Sequence, residues 1–225
     1  IEVVPGDTET LNYGVGTFGS RSATVIAAAI TELAERVASR LSLMGLSLIN
    51  AIRSRDVIIE EEVDYKPSMA IFAPGVHVAV VDLDPETLVA KVIDYYTVHN
   101  VGKPLLEEEI EAQIHGGVLQ GLAQVLWEGA FYSEDGTPLH VSLADYGLPS
   151  AEDIAYKVTT DEINTPSPLP GGVRGIGESG TTGALASVFL ALEKAIRSKT
   201  GVKVKLGKTP VTPSYLYQLI SGFKS

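Results

Sequence analysis

Residues 107 to 127, EEEIEAQIHGGVLQGLAQVLW, carry apolar side chains at Ile110, Ile114, Val118, Leu122 and Val125, the three- and four-residue steps of one helix face. Three glycines, Gly116, Gly117 and Gly121, interrupt the run. Each costs about 1 kcal/mol in a helix interior. A chain that keeps such a run helical uses the missing side chains for something, and the two usual reasons are close approach of a neighbouring backbone or of a flat ligand. The acids Glu107 to Glu109 suit the first turn, where the helix dipole favours negative charge.

Around this run the patterning alternates between helix and strand. Ile26, Ile30, Leu33, Val37 and Leu41 predict an amphipathic helix from Ser22 to about Leu43, with Ser20 and Ser22 as natural caps. VIIEEEVDY (57–65) and VHVAVVDLD (76–84) read as strands, DPET as a turn, and LVAKVIDYYTVHNV (88–101) as the returning strand. AFYSEDGTPLHVSL (130–143) predicts a hairpin around Asp135-Gly136, and DIAYKVTTDEI (153–163) a further strand. A twenty-residue stretch rich in Pro, Gly, Ser and Thr, 164–183, is too long for a mere connector. It runs into an apolar helix, ALASVFLALEKAIRS, followed by a short strand VKVKL and a last helix capped by Thr212 and opened by Pro213. Helices mixed with hairpin-connected strands predict an α+β fold with mixed or antiparallel sheets and packed helices, in one domain over 1–225 or two lobes.

Composition removes several classes of function. The chain has no cysteine, which excludes thiolate zinc sites, iron–sulfur ligation, disulfides and cysteine nucleophiles within it. Its four histidines, His77, His99, His115 and His140, never fall at the spacing that puts two on one helix face. The net charge of −11 and the lack of a basic stripe argue against a nucleic-acid partner. The acid clusters 60–62 and 107–111 read as solvated faces. No stretch reaches the roughly 18 uninterrupted apolar residues of a membrane span, and no basic region leads into an apolar run at the start. The expectation is a soluble, cytoplasmic chain, and an opening at Ile1 with no cap or turn signal reads as a fragment of something longer.

Three stretches carry chemistry. GVGTFGSRS (14–22) enters the first helix, where free backbone N–H groups, small residues and Arg21 make an anion cradle. Gly14, Gly16 and Gly19 also match the dinucleotide fingerprint GxGxxG, but the preceding segment is polar and no acid lies at the end of a second strand about twenty residues on. In Gly175-Ile176-Gly177-Glu178 the carboxylate has glycines beside it. If this loop folds inward, burial raises the acid's pKa as a general base requires; the plainer reading is a surface turn. On the interrupted helix, Gln113, His115 and Gln120 lie one or two turns apart, and Gln120 offers donor and acceptor to a heterocycle edge.

The order and spacing of these pieces decide between the readings. GTFGSRS, VHVAVVDLDPET, YTVHNVGKPL, IHGGVLQGLAQVLWEGAFYSEDG, DYGLPSA, TPSPLPGGVRGIGESGTTGA and a final TP resemble the second half of the molybdenum subunit in the xanthine oxidase, aldehyde oxidoreductase and carbon monoxide dehydrogenase family. The resemblance covers nearly the whole chain. It implies that Thr17, Phe18, Gly19, Ser20, Arg21 and Ser22 contact a molybdopterin cofactor, that Gln120 approaches the pterin, and that Gly177 and Glu178 close on the molybdenum with Glu178 as catalytic base. The metal is then held by the pterin dithiolene rather than by side chains, in keeping with the lack of cysteine. The cofactor forms implied include the cytosine dinucleotide.

The activity implied is water-derived hydroxylation of an aldehyde or related substrate, with iron–sulfur clusters and FAD on partner subunits. The remaining part of the molybdenum subunit is a further implied partner, without which this chain is not expected to turn over. Two departures from the family pattern stand out: a segment usually found between the long first helix and GLSLINAI is not recognisable, and Arg174 stands where lysine is common. The alternatives are a relative that keeps the fold without the cofactor, and a dinucleotide-binding domain.

Overall fold

The computed structural model describes residues 3, 4, 6–9, 14–54, 56–153 and 157–222. In it the glycine-interrupted run is one continuous helix, α3 (Glu107–Leu126), and a second helix, α5 (Ser179–Thr200), explains two of its glycines. A Cβ on Gly117 would stand 3.0 Å from the Gly180 Cα, and one on Gly121 would stand 2.7 Å from the Ala184 Cβ. Reciprocally, a Cβ on Gly180 would meet the Ile114 carbonyl oxygen at 2.4 Å. The two backbones touch, which answers for Gly117 and Gly121, whereas Gly116 faces open space.

This helix pair backs a small sheet. Strands β1 (Gly75–Leu83), β2 (Ala90–Asn100) and β3 (Lys157–Ile163) lie in that order, β1 antiparallel to β2 and β3 parallel to β2. The fold is therefore α+β with a mixed sheet. α5 lies on the inner face, where β1 and β2 alternate inward residues such as Val81, Tyr95 and Thr97 with outward ones such as Val76, Val78 and Tyr96. The core is continuous from Leu83, Val92 and Tyr95 through Ile114, Val118 and Leu122 to Val188, Leu192 and Ile196. Helix α6 (Pro213–Ser221) closes it with Leu216 and Ile220, and its Thr212 hydroxyl accepts from the Tyr215 N–H as the sequence predicts.

Helix α1 (Ser22–Leu43) has the predicted bounds but only part of the predicted buried stripe. Leu41 is buried and Leu33 and Val37 are half-buried, whereas Ile26 and Ile30 are 56% and 60% exposed, with Thr24 and Ala28 buried at that end of the helix. Neither Ser20 nor Ser22 caps it: Arg21 occupies the cap position without a side-chain bond. Helix α2 (Leu48–Ser54) likewise leaves Leu48, Ile49 and Ile52 exposed.

Four predicted strands, two of them the arms of the hairpin, form no ladder. Residues 57–65 alternate half-buried and exposed as a strand would, but their carbonyls bond to side chains of α1. Arg36 donates to the Glu62 carbonyl and Arg40 to that of Glu60, while the Glu61 carboxylate pairs with Arg40 at 2.7 Å and is only 15% exposed. One member of the acid cluster read as a solvated face is thus held against a helix. Residues 202–206 also alternate, with Val204 and Leu206 inward, and the Leu206 N–H donates to Glu193. In the hairpin around Asp135-Gly136 the turn forms, with Ser133 N–H donating to the Thr137 carbonyl and Leu139 N–H to that of Phe131 about a single bridge between Tyr132 and Pro138, and the pairing extends no further. Before β3, residues 154–156 of the predicted strand lie outside the described residues. A four-residue helix, α4 (Leu143–Tyr146), and a short 3-10 turn at Ala151–Asp153 complete the elements.

Candidate cofactor site

The long Pro/Gly stretch is ordered and shorter than predicted, since its last five residues, 179–183, already form the first turns of α5. It is tied along its length to the end of β2. Val101 N–H donates to the Ile163 carbonyl, Lys103 N–H to Gly172, and Arg174 N–H to Val101. The Arg174 guanidinium reaches two further carbonyls, Thr165 at 3.0 Å and Phe72 at 2.7 Å. This fork explains what an arginine does here that a lysine's single ammonium does less well.

The stretch then lands on the cradle before α1. Gly19 and Ser20 both have left-handed backbones, φ +58° and +56°, which for Ser20 is a strained conformation maintained by its surroundings. The Ser20 hydroxyl donates to Glu178 Oε2 at 2.8 Å and accepts from the Glu178 N–H at 2.8 Å. The glycines of the GxGE motif are explained by this docking. A Cβ on Gly175 would lie 1.7 Å from the Ser20 carbonyl oxygen, and one on Gly177 would lie 3.2 Å from its hydroxyl. The carboxylate and the cradle, 158 positions apart in sequence, are thus in direct contact.

Two clefts flank that contact and share Ser20 and Gly175. One, of about 340 Å³, has Glu178 and Thr182 on one side and Phe72, His77 and His99 on the other. The second, of about 360 Å³, holds Thr17, Ser22, Lys103, Gln113, Arg174 and Gly177. Thr17 and Ser22 hydroxyls bond to each other there. Phe18 and Gly19 open onto a third cleft, of about 430 Å³, with the Arg21 guanidinium 4.0 Å above the Phe18 ring.

Of the residues singled out from sequence, Thr17, Ser20, Ser22 and Gly177 line one cleft, Ser20 bonds to Glu178 in the neighbouring one, and Phe18, Gly19 and Arg21 lie on the adjoining side of the same turn. Gln120 lines none of these three clefts. Its side chain accepts from the Thr181 hydroxyl at 3.3 Å, whereas Gln113 donates to the Gly177 carbonyl at 2.9 Å and is the glutamine that reaches the cradle. Glu178 is exposed in this chain, so the desolvation expected of it is not supplied by these residues.

Sequence reasoning missed His77 and His99, which it weighed only as metal ligands. Their signal is a pair of glycines, since a Cβ on Gly183 would lie 2.1 Å from the His77 ring and one on Gly75 2.2 Å from the His99 ring. Burial holds His77 down at about 4, with the charge of His99 acting in the same direction and the Ser179 backbone opposing it. Burial lowers His99 too.

The donor set fits an organic metal cofactor better than a bare ion. Among the described residues no group of three or more His, Asp or Glu could hold a metal. What the three stretches present is hydroxyls, an amide, backbone N–H groups and guanidinium charge, the chemistry that holds a pterin and its phosphate by hydrogen bonds. The dinucleotide alternative meets an obstacle in the topology: among the described residues no strand precedes α1, with 10–13 outside them. Nor is any described helix long and apolar enough to cross a membrane.

Comparison with known proteins agrees. The gamma subunit of the 6-hydroxypseudooxynicotine dehydrogenase complex of Paenarthrobacter nicotinovorans is 28% identical over 261 aligned positions, covering 99% of this chain and 32% of that protein. The nicotine 6-hydroxylase large subunit of the same organism is 27% identical, over 93% of this chain and 30% of its own length. The crystal structure of a Cu,Mo-CO dehydrogenase in its carbon monoxide reduced state shares the fold, with a TM-score of 0.80 and 24% identity over 97% of this chain and 32% of that one. This chain thus spans about a third of the length of the curated relatives it matches. With residues 1–155 matching the molybdopterin cofactor-binding domain family, the chain belongs to that family.

Proposed function

We propose that this chain binds the pterin part of a molybdenum cofactor around the 17–22 turn and supplies Glu178 as catalytic base for a water-derived hydroxylation. The observation that carries this reading is the pair of hydrogen bonds between Ser20 and Glu178, which joins the acid to the cradle. Thr17, Phe18, Gly19, Ser20, Arg21, Ser22, Gln120 and Gly177 are the proposed cofactor contacts, and Lys103 and Arg174 add positive charge for a phosphate-bearing form, the cytosine dinucleotide included. The cofactor supplies a two-electron redox centre whose sulfur ligands are already part of its organic half.

This chain's own task is the proton. With Oε2 engaged by the Ser20 hydroxyl, Oε1 of Glu178 is the oxygen that accepts it, and the bond to Ser20 fixes the carboxylate's direction. The exposed carboxylate takes its cover from the remaining part of the subunit, and electrons leave through iron–sulfur and flavin centres on other subunits in the cytoplasm. The chain by itself is inactive on this reading, because the cover and the electron acceptors lie elsewhere. Sequence alone favoured an aldehyde as substrate. The nicotine hydroxylase relative supports a second reading, an electron-poor N-heterocycle.

Replacing Glu178 by Gln in the assembled enzyme tests the assignment. Molybdenum and pterin content stay at the unaltered level while turnover falls by about 10²–10⁴-fold, the usual contribution of a positioned base. Turnover that survives the substitution would overturn the role given to Glu178, and parallel assays with an aldehyde and an N-heterocycle decide the substrate class.

A further inference from the structure

Behind the candidate base runs a hydrogen-bonded chain that the proposed chemistry does not use. His77 Nδ1 lies 2.7 Å from the Tyr95 hydroxyl, which lies 2.9 Å from the Ser187 hydroxyl, and Ser187 in turn donates to the Ala184 carbonyl. Tyr95 is fully buried. The His77 ring stands edge-on to that of His99, with centroids 4.8 Å apart, and the Thr97 hydroxyl lies 2.8 Å from His99 Nε2. Neither His77 Nε2 nor His99 Nδ1 makes a hydrogen bond of good geometry, the nearest approach to one being that of the Ser179 backbone to His77, which favours the protonated ring.

The two ends of this chain meet α5 one turn apart. Gly183 takes the His77 ring against its bare backbone and Ser187, four residues on, takes the Tyr95 hydroxyl. On another side, the same first turns are held by α3, through Gly180 against Ile114 and through the Thr181 hydroxyl donating to the Gly117 carbonyl. Glu178 is the residue at which this doubly held helix begins. A rigid support matters there because a base displaced by about 1 Å can lose on the order of 10²-fold in rate.

We propose that His77, joined through Tyr95 to Ser187 and braced by His99, is a positioning residue that fixes where α5 begins and so where the Glu178 carboxylate points. A neutral ring suits this place. An imidazolium would sit half-buried beside the positive end of the α5 dipole. The catalytic consequence rests on Glu178 being the base; the structural claim does not.

The test is amide hydrogen exchange, read by mass spectrometry over residues 178–187, together with steady-state kinetics, both on the assembled enzyme. His77→Leu removes the bond to Tyr95, and exchange in that segment rises about five- to tenfold, as expected for one lost hydrogen bond. In the same variant kcat falls with KM and molybdenum content unchanged. His77→Asn, whose amide can occupy the Nδ1 position, restores most of both. Should His77→Leu not fold, Tyr95→Phe and Ser187→Ala break the same chain with little change of volume and carry the same expectation. Exchange that stays at the unaltered rate in the variants that fold would overturn the proposal. Glu178→Gln separates the two readings: it leaves exchange unchanged whatever happens to turnover, so retained turnover in that variant counts against the base, while unmoved exchange in the His77, Tyr95 or Ser187 variants counts against the positioning role.

Discussion

Replacing Gly121 by alanine sets two effects against each other. In a helix interior alanine is favoured over glycine by about 1 kcal/mol. At this position, however, the added methyl would stand 2.7 Å from the Ala184 Cβ and 2.9 Å from the Thr181 carbonyl oxygen. Carbon atoms prefer about 3.5–4.0 Å, so α3 and α5 must separate by roughly 1 Å along their line of contact. Forcing a methyl into a packed core costs about 1–3 kcal/mol, more in a place where backbone rather than a side chain must give way. The clash wins, by a net of about 1–2 kcal/mol. Gly116, on the same helix with nothing within 4 Å of its built Cβ, is the internal control. Alanine there brings only the helix gain, up to about 1 kcal/mol. For a chain of this size 1 kcal/mol moves a thermal midpoint by about 2–4 °C. Thermal unfolding followed by circular dichroism should therefore show Gly116→Ala raising the midpoint by about that amount and Gly121→Ala lowering it by at least as much. Equal shifts of the same sign in the two variants would refute the backbone-contact account of the glycines.

Two further outcomes follow from the site. Ser20→Ala removes both bonds to Glu178 but leaves the freed groups open to water, so stability should change by no more than about 1 kcal/mol while turnover of the assembled enzyme falls about ten- to hundredfold; full turnover in this variant would show that the carboxylate needs no such tether. Stability should also depend on pH through His77, whose value of about 4 lies below its ordinary 6.5. Between those values the unfolded chain binds more protons, so the contribution is complete above about pH 6.5 and is lost as pH falls toward about 4. Its size is on the order of 1–2 kcal/mol once partial exposure is allowed for, with His99 pulling in the same direction. Denaturation midpoints measured across this range should fall less steeply in His77→Phe, and an identical slope would assign the acid sensitivity to other groups.

Much of the fold was legible because its periodicities are strong. The bounds of α1, the run of α3, the pairing of β1 with β2 and the Thr212 cap all follow from spacing and cap chemistry. What failed was the inference from alternation to a ladder. Residues 57–65 alternate because one side of an extended chain lies on α1, and Arg36 and Arg40 take up carbonyls that a neighbouring strand would otherwise have bonded. The first half of the α1 stripe failed for a related reason. Ile26 and Ile30 are apolar at helical spacing, yet no described element covers them, so periodicity marks a face meant for contact without naming what makes it.

The site was legible through its glycines, though for reasons that spacing could not supply. Gly175 looked like relief from crowding beside the acid; in the fold it is required by the Ser20 carbonyl oxygen. Gln113 and Gln120 could not be ranked from sequence, because which of them reaches the turn depends on how α3 lies against the 174–178 segment. His77 and His99 are legible only in retrospect, since Gly183 is over a hundred positions from the ring it accommodates.

Where Gly117 and Gly121 of α3 meet Gly180 and Ala184 of α5, no long side chain lies between the two backbones to act as a cushion. A shift of one helix is transmitted undiminished to the other, so Gln113, Gly177 and the acid at the helix start behave as a single stiff block. An added methyl at that crossing therefore reaches the carboxylate as well as the core.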